Sequence, residues 1–235
     1  MEIIVDLFNQ HGGNLQKLDR MIWLSYLNGA DVAKIQILNS QRIWGNDLRK
    51  FLELTFDEVK QIKAACDSVG IEFMASVFDE EGLEWINELG VKRYKIASVT
   101  AFKDKKLCEK ILSFDKPTII SAGKYDKEVF PFGFDKNIKY LYCVAEYPAL
   151  LDHPKIKSLP TSFSENAYYG YSDHTMGSAV GLAAFHRGAK ILEKHFTLSH
   201  NLQQETQLAH LCSFTPSTLK AFRNLIDESM IFLNK

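Results

Sequence analysis

Short apolar runs alternate along this chain with stretches whose apolar residues recur every three to four positions. Runs of strand length occupy residues 3–8, 32–38, 72–78, 93–98, 117–122, 138–145, 168–171 and 189–195. Between them, Leu15, Leu18, Ile22, Leu24 and Leu27 mark one face of a helix over 15–30, closed by Asn28-Gly29. Thr55 with Glu58 three residues on is the signature of a capping box, and Gly70 is placed to end the helix it starts. Helical spacing recurs over 80–90, 104–114 and 177–188, and Thr215-Pro216 opens a last helix toward the C-terminus. Strands that alternate with helices read as parallel βα units. Eight of them predict a compact α/β fold, a (β/α)8 TIM barrel, as one domain over residues 1–235. The segment KYDKEVFPFGFDKN after the fifth strand is short and rich in turn residues, so its helix is expected to be shortened or missing. DHPKIKSLPTSFSEN before the seventh strand holds one short helix at best, and the region around Trp44 reads as a polar loop.

Composition narrows the functional classes. The chain has 235 residues, 46% hydrophobic and 24% charged, with a net charge of −1, which is ordinary for a globular protein and gives no basic surface for nucleic acid or membrane. No apolar run approaches the ~20 residues of a membrane span, and the N-terminus lacks the basic region of a signal peptide. Cys66, Cys108, Cys143 and Cys212 are far apart, without zinc-knuckle or disulfide spacing. A cytoplasmic protein is the expectation.

In a parallel barrel the chemistry gathers where strands finish. Here those positions carry Lys34 and Gln36, Ser76, Lys95 and Ser98, Ser121, Glu146 and Tyr147, Ser172 to His174, and Glu193 to His195. His174 and His195 end adjacent strands one βα repeat apart. Two neutral imidazoles in register make a candidate divalent-metal site with open positions; a pair of hydrogen-bonded core histidines is the competing reading. A single lysine on a strand usually lies at an edge, but Lys34 and Lys95 lie within apolar runs, where an unpaired ammonium is costly. Lysines faced by small hydroxyls suit a phosphate ester.

The stretch GYSDHT, a small-residue helix and ILEKHFTL resembles the G-F/Y-S-D-H-T … E-K-H-F-T signature of the sialic acid synthase family. The likeness continues along the chain in VDLFNQHGGNL, VAKIQ, MASVFD, YKIAS, IISAGK and LYCVAEYP. It implies a condensation of phosphoenolpyruvate with an acylated amino-sugar aldehyde, assisted by Mn²⁺ or Mg²⁺. By the same resemblance, phosphoenolpyruvate contacts fall on Lys34, Ser76, Lys95, Ser98, Ser121 and Ser172, and the metal ligands are His174 and His195. Asp6 stands at the family's opening acidic position, and with Lys34 and Lys95 it forms the expected catalytic set. Gln36, Tyr147 and Lys194 join the substrate-binding residues.

Departures lie mostly on the sugar side. Thr100 replaces an acidic residue, Ala145 a polar one, and Gln207, Leu208, Ala209 and His210 stand where the family has G-x-D-H. The expectation is a barrel alone, without the family's C-terminal antifreeze-like domain, working as a homodimer or with a partner that completes the site. An aldolase or lyase on the same metal-phosphate site, or a non-catalytic, regulatory barrel, stays open at this point.

Overall fold

The computed structural model describes residues 1–125, 129–202 and 211–233. Eight parallel strands, β1 (Glu2–Asp6), β2 (Val32–Ile37), β3 (Glu72–Val77), β4 (Tyr94–Ile96), β5 (Thr118–Ser121), β6 (Ile138–Cys143), β7 (Tyr168–Asp173) and β8 (Ile191–His195), close in sequence order into a barrel. Closure is made by β1 against β8, with Asp6 paired to His195. The helices are α1 (Leu15–Leu27), α2 (Ser40–Trp44), α3 (Phe56–Val69), α4 (Glu80–Glu88), α5 (Ser98–Lys103), α6 (Lys105–Leu112), α7 (Pro154–Lys157), α8 (Ala179–His186) and α9 (Pro216–Phe232). The capping box of Thr55 and Glu58 forms, and Gly70 ends α3 in the left-handed region. Between β5 and β6 no helix lies among the described residues.

Two expectations are corrected. Ser98 does not end a strand: β4 stops at Ile96, and Ser98 is the first residue of α5. The region around Trp44 is not all loop. Asn39 caps α2 by accepting from Arg42 N, and Gly45 ends it at φ 68, so one helical turn fits between two short-range signals.

Strand residues two apart share a face, and this sorts the barrel interior into layers. At the N-terminal end Arg93 bridges Glu2 and Glu72. Above them Ile4, Val32, Met74, Ile119, Leu141 and Ile191 form a closed apolar plug. The next inward positions, two residues on, are Asp6, Lys34, Ser76, Ser121, Cys143 and Glu193, all buried. The plug lies below these groups and leaves them room only toward the strand ends. The outward faces pack on the helices as the main core, through Val5, Ile35, Val77, Ile96, Ile120, Tyr171 and Leu192 among others. At Gly170, where the β6–β7 register shifts, a Cβ would come within 2.3 Å of the Ile191 carbonyl oxygen, so only glycine lets β7 approach β8. Among the described residues no helix is long and apolar enough to cross a membrane.

Candidate active site

The strand ends surround a cavity of about 300 Å³. Asp6, Lys34, Gln36, Ser76, Lys95, Ser98, Ser121, Tyr147, Ser172, His174, Lys194 and His195 all line it. Its floor is an ion network. Lys34 Nζ lies 2.5 Å from Asp6 Oδ2 and 3.3 Å from Glu193 Oε1. Gln36 Nε2 donates to the same Asp6 oxygen at 2.8 Å, and Phe8 N donates to Asp6 Oδ1 at 3.0 Å. Lys95 Nζ donates to Ser121 Oγ at 2.8 Å and to the Ile96 carbonyl at 3.0 Å, with Glu193 Oε2 at 3.5 Å. Glu193 therefore stands between the two ammonium groups.

The environment treats the two lysines differently. Burial disfavours the Lys34 ammonium, but the carboxylates of Asp6 and Glu193 outweigh it and hold its pKa above the ordinary value. Burial dominates at Lys95 and, with the Lys34 charge, lowers its pKa against the pull of Glu193. Burial alone would raise both carboxyls. The facing lysines instead hold Asp6 and Glu193 below the usual carboxylate range.

The hydroxyls differ in what they have free. Ser76 Oγ is buried without a partner, Ser98 Oγ accepts from Gly123 N at 3.0 Å, and Ser172 hydrogen-bonds Glu193. Lys194 borders the cavity, yet its ammonium donates to Asp173 Oδ2 and the Thr175 carbonyl, both at 2.7 Å. Two of its three donor hydrogens thus tie β7 to β8, and one remains for a ligand.

On the β7–β8 side the rings of His174 and His195 lie 5.7 Å apart between centroids, and the half-exposed Tyr147 ring covers His174 at 4.1 Å. His174 Nδ1–H donates to the Val144 carbonyl at 2.7 Å, which leaves its Nε2 lone pair free. His195 Nδ1 is buried without a hydrogen bond, 4.0 Å from Asp6 Oδ2, and burial lowers the pKa of the ring. Two imidazoles with unclaimed nitrogens at one cavity fit a divalent ion whose other positions go to water and substrate. Among the described residues no group of three histidines, cysteines or carboxylates forms a fuller ligand set.

Several cavity residues carried no role in the sequence reading. Glu193 and Cys143 follow the same alternation that exposes His195 and Ser121, so the period of two contained them. Asn9 also lines the cavity; it adopts φ 70 and its Oδ1 is buried without a partner. Phe8, Leu38, Ile43, Trp44 and Phe78 form an apolar wall, which depends on α2 and was not legible as part of a site. Ala145 borders the cavity, whereas Thr100, buried in α5, is not among its lining residues. Gln207 to His210 lie outside the described residues.

Fold and site together define a (β/α)8 barrel with buried lysines, carboxylates, hydroxyls and paired imidazoles at its strand ends. Residues 28–234 match the NeuB family model, and the chain belongs to that family. It is 29% identical to the N,N'-diacetyllegionaminic acid synthase of Legionella pneumophila, over 93% of this chain and 69% of that protein. It is 28% identical to the N-acetylneuraminate-9-phosphate synthase of Drosophila melanogaster, over 95% of this chain and 66% of that protein. The chain thus spans about two thirds of the length of these curated relatives. The crystal structure of the N-acetylneuraminic acid synthetase of Leptospira borgpetersenii superposes with a TM-score of 0.83 at 26% identity, covering 99% of this chain and 85% of that one. The relatives are synthases of nonulosonic acids, and the chain is an enzyme of this synthase type.

Proposed function

We propose that the chain condenses phosphoenolpyruvate with an acylated amino-sugar aldehyde to give a nonulosonic acid, assisted by Mn²⁺ or Mg²⁺. The observation that carries this reading is the placement of two buried lysines, unclaimed serine hydroxyl capacity and two imidazoles around one cavity. In the reaction C3 of phosphoenolpyruvate attacks the aldehyde carbon and the new alkoxide takes a proton. Water then adds at C2, and phosphate leaves by C–O cleavage. Lys34, Lys95 and the ring of Ser76, Ser98, Ser121 and Ser172 bind the phosphate and carboxylate and hold C3 toward the imidazole side. Asp6 keeps Lys34 charged and fixes Gln36. A divalent ion on His174 and His195 would supply Lewis-acid polarisation of the aldehyde. With four free, buried cysteines, a reducing compartment suits the chain, and we place it in the cytoplasm.

The test is phosphate release from phosphoenolpyruvate with acylated amino-sugar aldehydes and Mn²⁺, with calorimetry of each ligand beside it. Phosphoenolpyruvate should bind, and more tightly with Mn²⁺ present. His174→Ala and His195→Ala should each remove Mn²⁺ binding while the far-UV spectrum is kept. Unchanged Mn²⁺ affinity in both variants refutes the metal assignment, and no binding of phosphoenolpyruvate by the wild-type chain refutes the function.

A further inference from the structure

The outward strand faces pack on the helices as apolar core, Val5, Ile35, Val77, Ile120 and Leu192 among them. Asp173 on β7 and Lys194 on β8 break that pattern. They alternate with the inward Ser172, His174, Glu193 and His195 and so belong to the outward face. The two are register partners, each next in sequence to a histidine, and their side chains are 0% and 1% exposed. α8 closes over them at Gly181, where a Cβ would stand 3.3 Å from Leu192 and 3.5 Å from Asp173 Oδ2. A buried ion pair in apolar surroundings adds little over apolar side chains of similar size, because desolvation offsets the attraction. Stability therefore does not account for the pair, and its bonds indicate what does. Lys194 Nζ donates to Asp173 Oδ2 and to the Thr175 carbonyl, both at 2.7 Å. Asp173 Oδ1 accepts from Thr175 N at 2.8 Å and from Thr175 Oγ1 at 2.7 Å. One ammonium thus joins the residues on both sides of His174 to the residue before His195.

We propose, resting on the metal assignment above, that Lys194 is a positioning residue: through Asp173 and Thr175 it holds the two imidazoles in register for a shared divalent ion. His195 has the greater need of it. Metal-bound histidines ordinarily give their second nitrogen to a partner that fixes the ring. His174 has one in the Val144 carbonyl, whereas His195 Nδ1 has no hydrogen bond, so backbone and packing must place that ring. Phe214 N donates to the His195 carbonyl at 2.7 Å and Ala149 N to the His174 carbonyl at 2.8 Å. The Lys194 bridge then fixes one pinned segment against the other. The direct effect of its charge has the opposite sign, because an ammonium beside the two rings repels a dication. Positioning and simple electrostatics therefore predict opposite results when the charge is removed.

The experiment measures Mn²⁺ affinity by calorimetry and, in the metal-free chain, the ring resonances of His174 and His195, assigned from His174→Ala and His195→Ala. Lys194→Met should keep the far-UV spectrum and shift both ring signals. It should weaken Mn²⁺ binding by about 10–100-fold, the usual cost of losing a group that supports a metal ligand. Thr175→Val keeps both charges and removes one hydroxyl bond, so a loss of about 2–10-fold is expected, the range of one net hydrogen bond. Arg93→Ala, altered at the far end of the barrel, should bind Mn²⁺ as the parent does. Unchanged or tighter binding in Lys194→Met overturns the proposal, and so does an equal loss in Arg93→Ala. Lost phosphoenolpyruvate affinity with Mn²⁺ binding kept also overturns it, by making Lys194 a substrate ligand. If Lys194→Met does not fold, Thr175→Val decides, and parental affinity with unmoved ring signals overturns the proposal. A parent chain that binds no Mn²⁺, but whose ring signals shift in Lys194→Met, keeps the bridge and loses the metal reading, so the two failures are separable.

Discussion

Lys95 is the less closely paired of the two buried lysines. Its donors go to Ser121 and the Ile96 carbonyl, and its one carboxylate neighbour, Glu193, is shared with Lys34. Lys34 has the closer carboxylates, so Lys95 is the ammonium with more to gain from an incoming anion. Lys95→Ala should therefore weaken phosphoenolpyruvate binding by about 2–5 kcal/mol, the loss expected when one partner of a buried charge pair is removed. That is roughly thirty-fold to a few thousand-fold in Kd. Lys103→Ala, on the exposed side of α5, should change Kd by less than about two-fold, as an exposed charge is well screened. Titration calorimetry decides it: equal losses in the two variants would mean that Lys95 acts through general stability and not at the site.

At the scale of single elements, what the sequence disclosed follows from how local each signal is. The strand ends were legible because an apolar run broken by a lysine or histidine at period two names both the strand and its inward face. The capping box at Thr55 and the glycine stop at Gly70 were legible for the same reason, since all partners lie within one turn. α2 and the start of α5 were not, because a helix of five or six residues carries too little periodicity to register. The apolar wall fell with α2. The charge network was half legible: lysines at strand ends are visible one by one, but Glu193 lying between two of them requires the barrel to close. Gly170 marks the same limit, a glycine in a strand whose reason lies in the next strand. Gly170→Ala should destabilise the chain by about 1–3 kcal/mol, the usual cost of forcing a group into a filled space. Here the obstacle is backbone, the Ile191 carbonyl, and cannot swing aside. Urea denaturation measures it, and a variant as stable as the parent would show that β7 and β8 can separate at no cost.

Across the whole molecule the two ends of the barrel divide stability from chemistry. The apolar plug of Ile4, Met74, Leu141 and their neighbours separates them, with the strand-end cavity above and the ion cluster of Arg93, Glu2 and Glu72 below. Arg93 Nε donates to Glu72 Oε1 at 2.8 Å and Nη1 to Glu2 Oε2 at 2.9 Å, so one guanidinium ties β1 and β3 to the start of β4. Opposite charges at its carboxylates hold its pKa above the ordinary arginine value although burial opposes them. Arg93→Ala would leave two acidic side chains facing each other in a partly closed space. These groups are neither fully exposed, where such pairs are worth up to about 1 kcal/mol, nor fully buried, where breaking one costs about 3–5 kcal/mol. A loss of about 2 kcal/mol is expected between those limits. Because the cluster joins strands and not loops, the loss should appear as a lower urea midpoint with an unchanged slope, the sign of a single cooperative transition. Below the transition, phosphoenolpyruvate and Mn²⁺ should bind as they do to the parent, because the plug keeps the upper layer's geometry independent of the lower one. A fall in ligand affinity under native conditions, with stability intact, would contradict this division and place Arg93 in the service of the site.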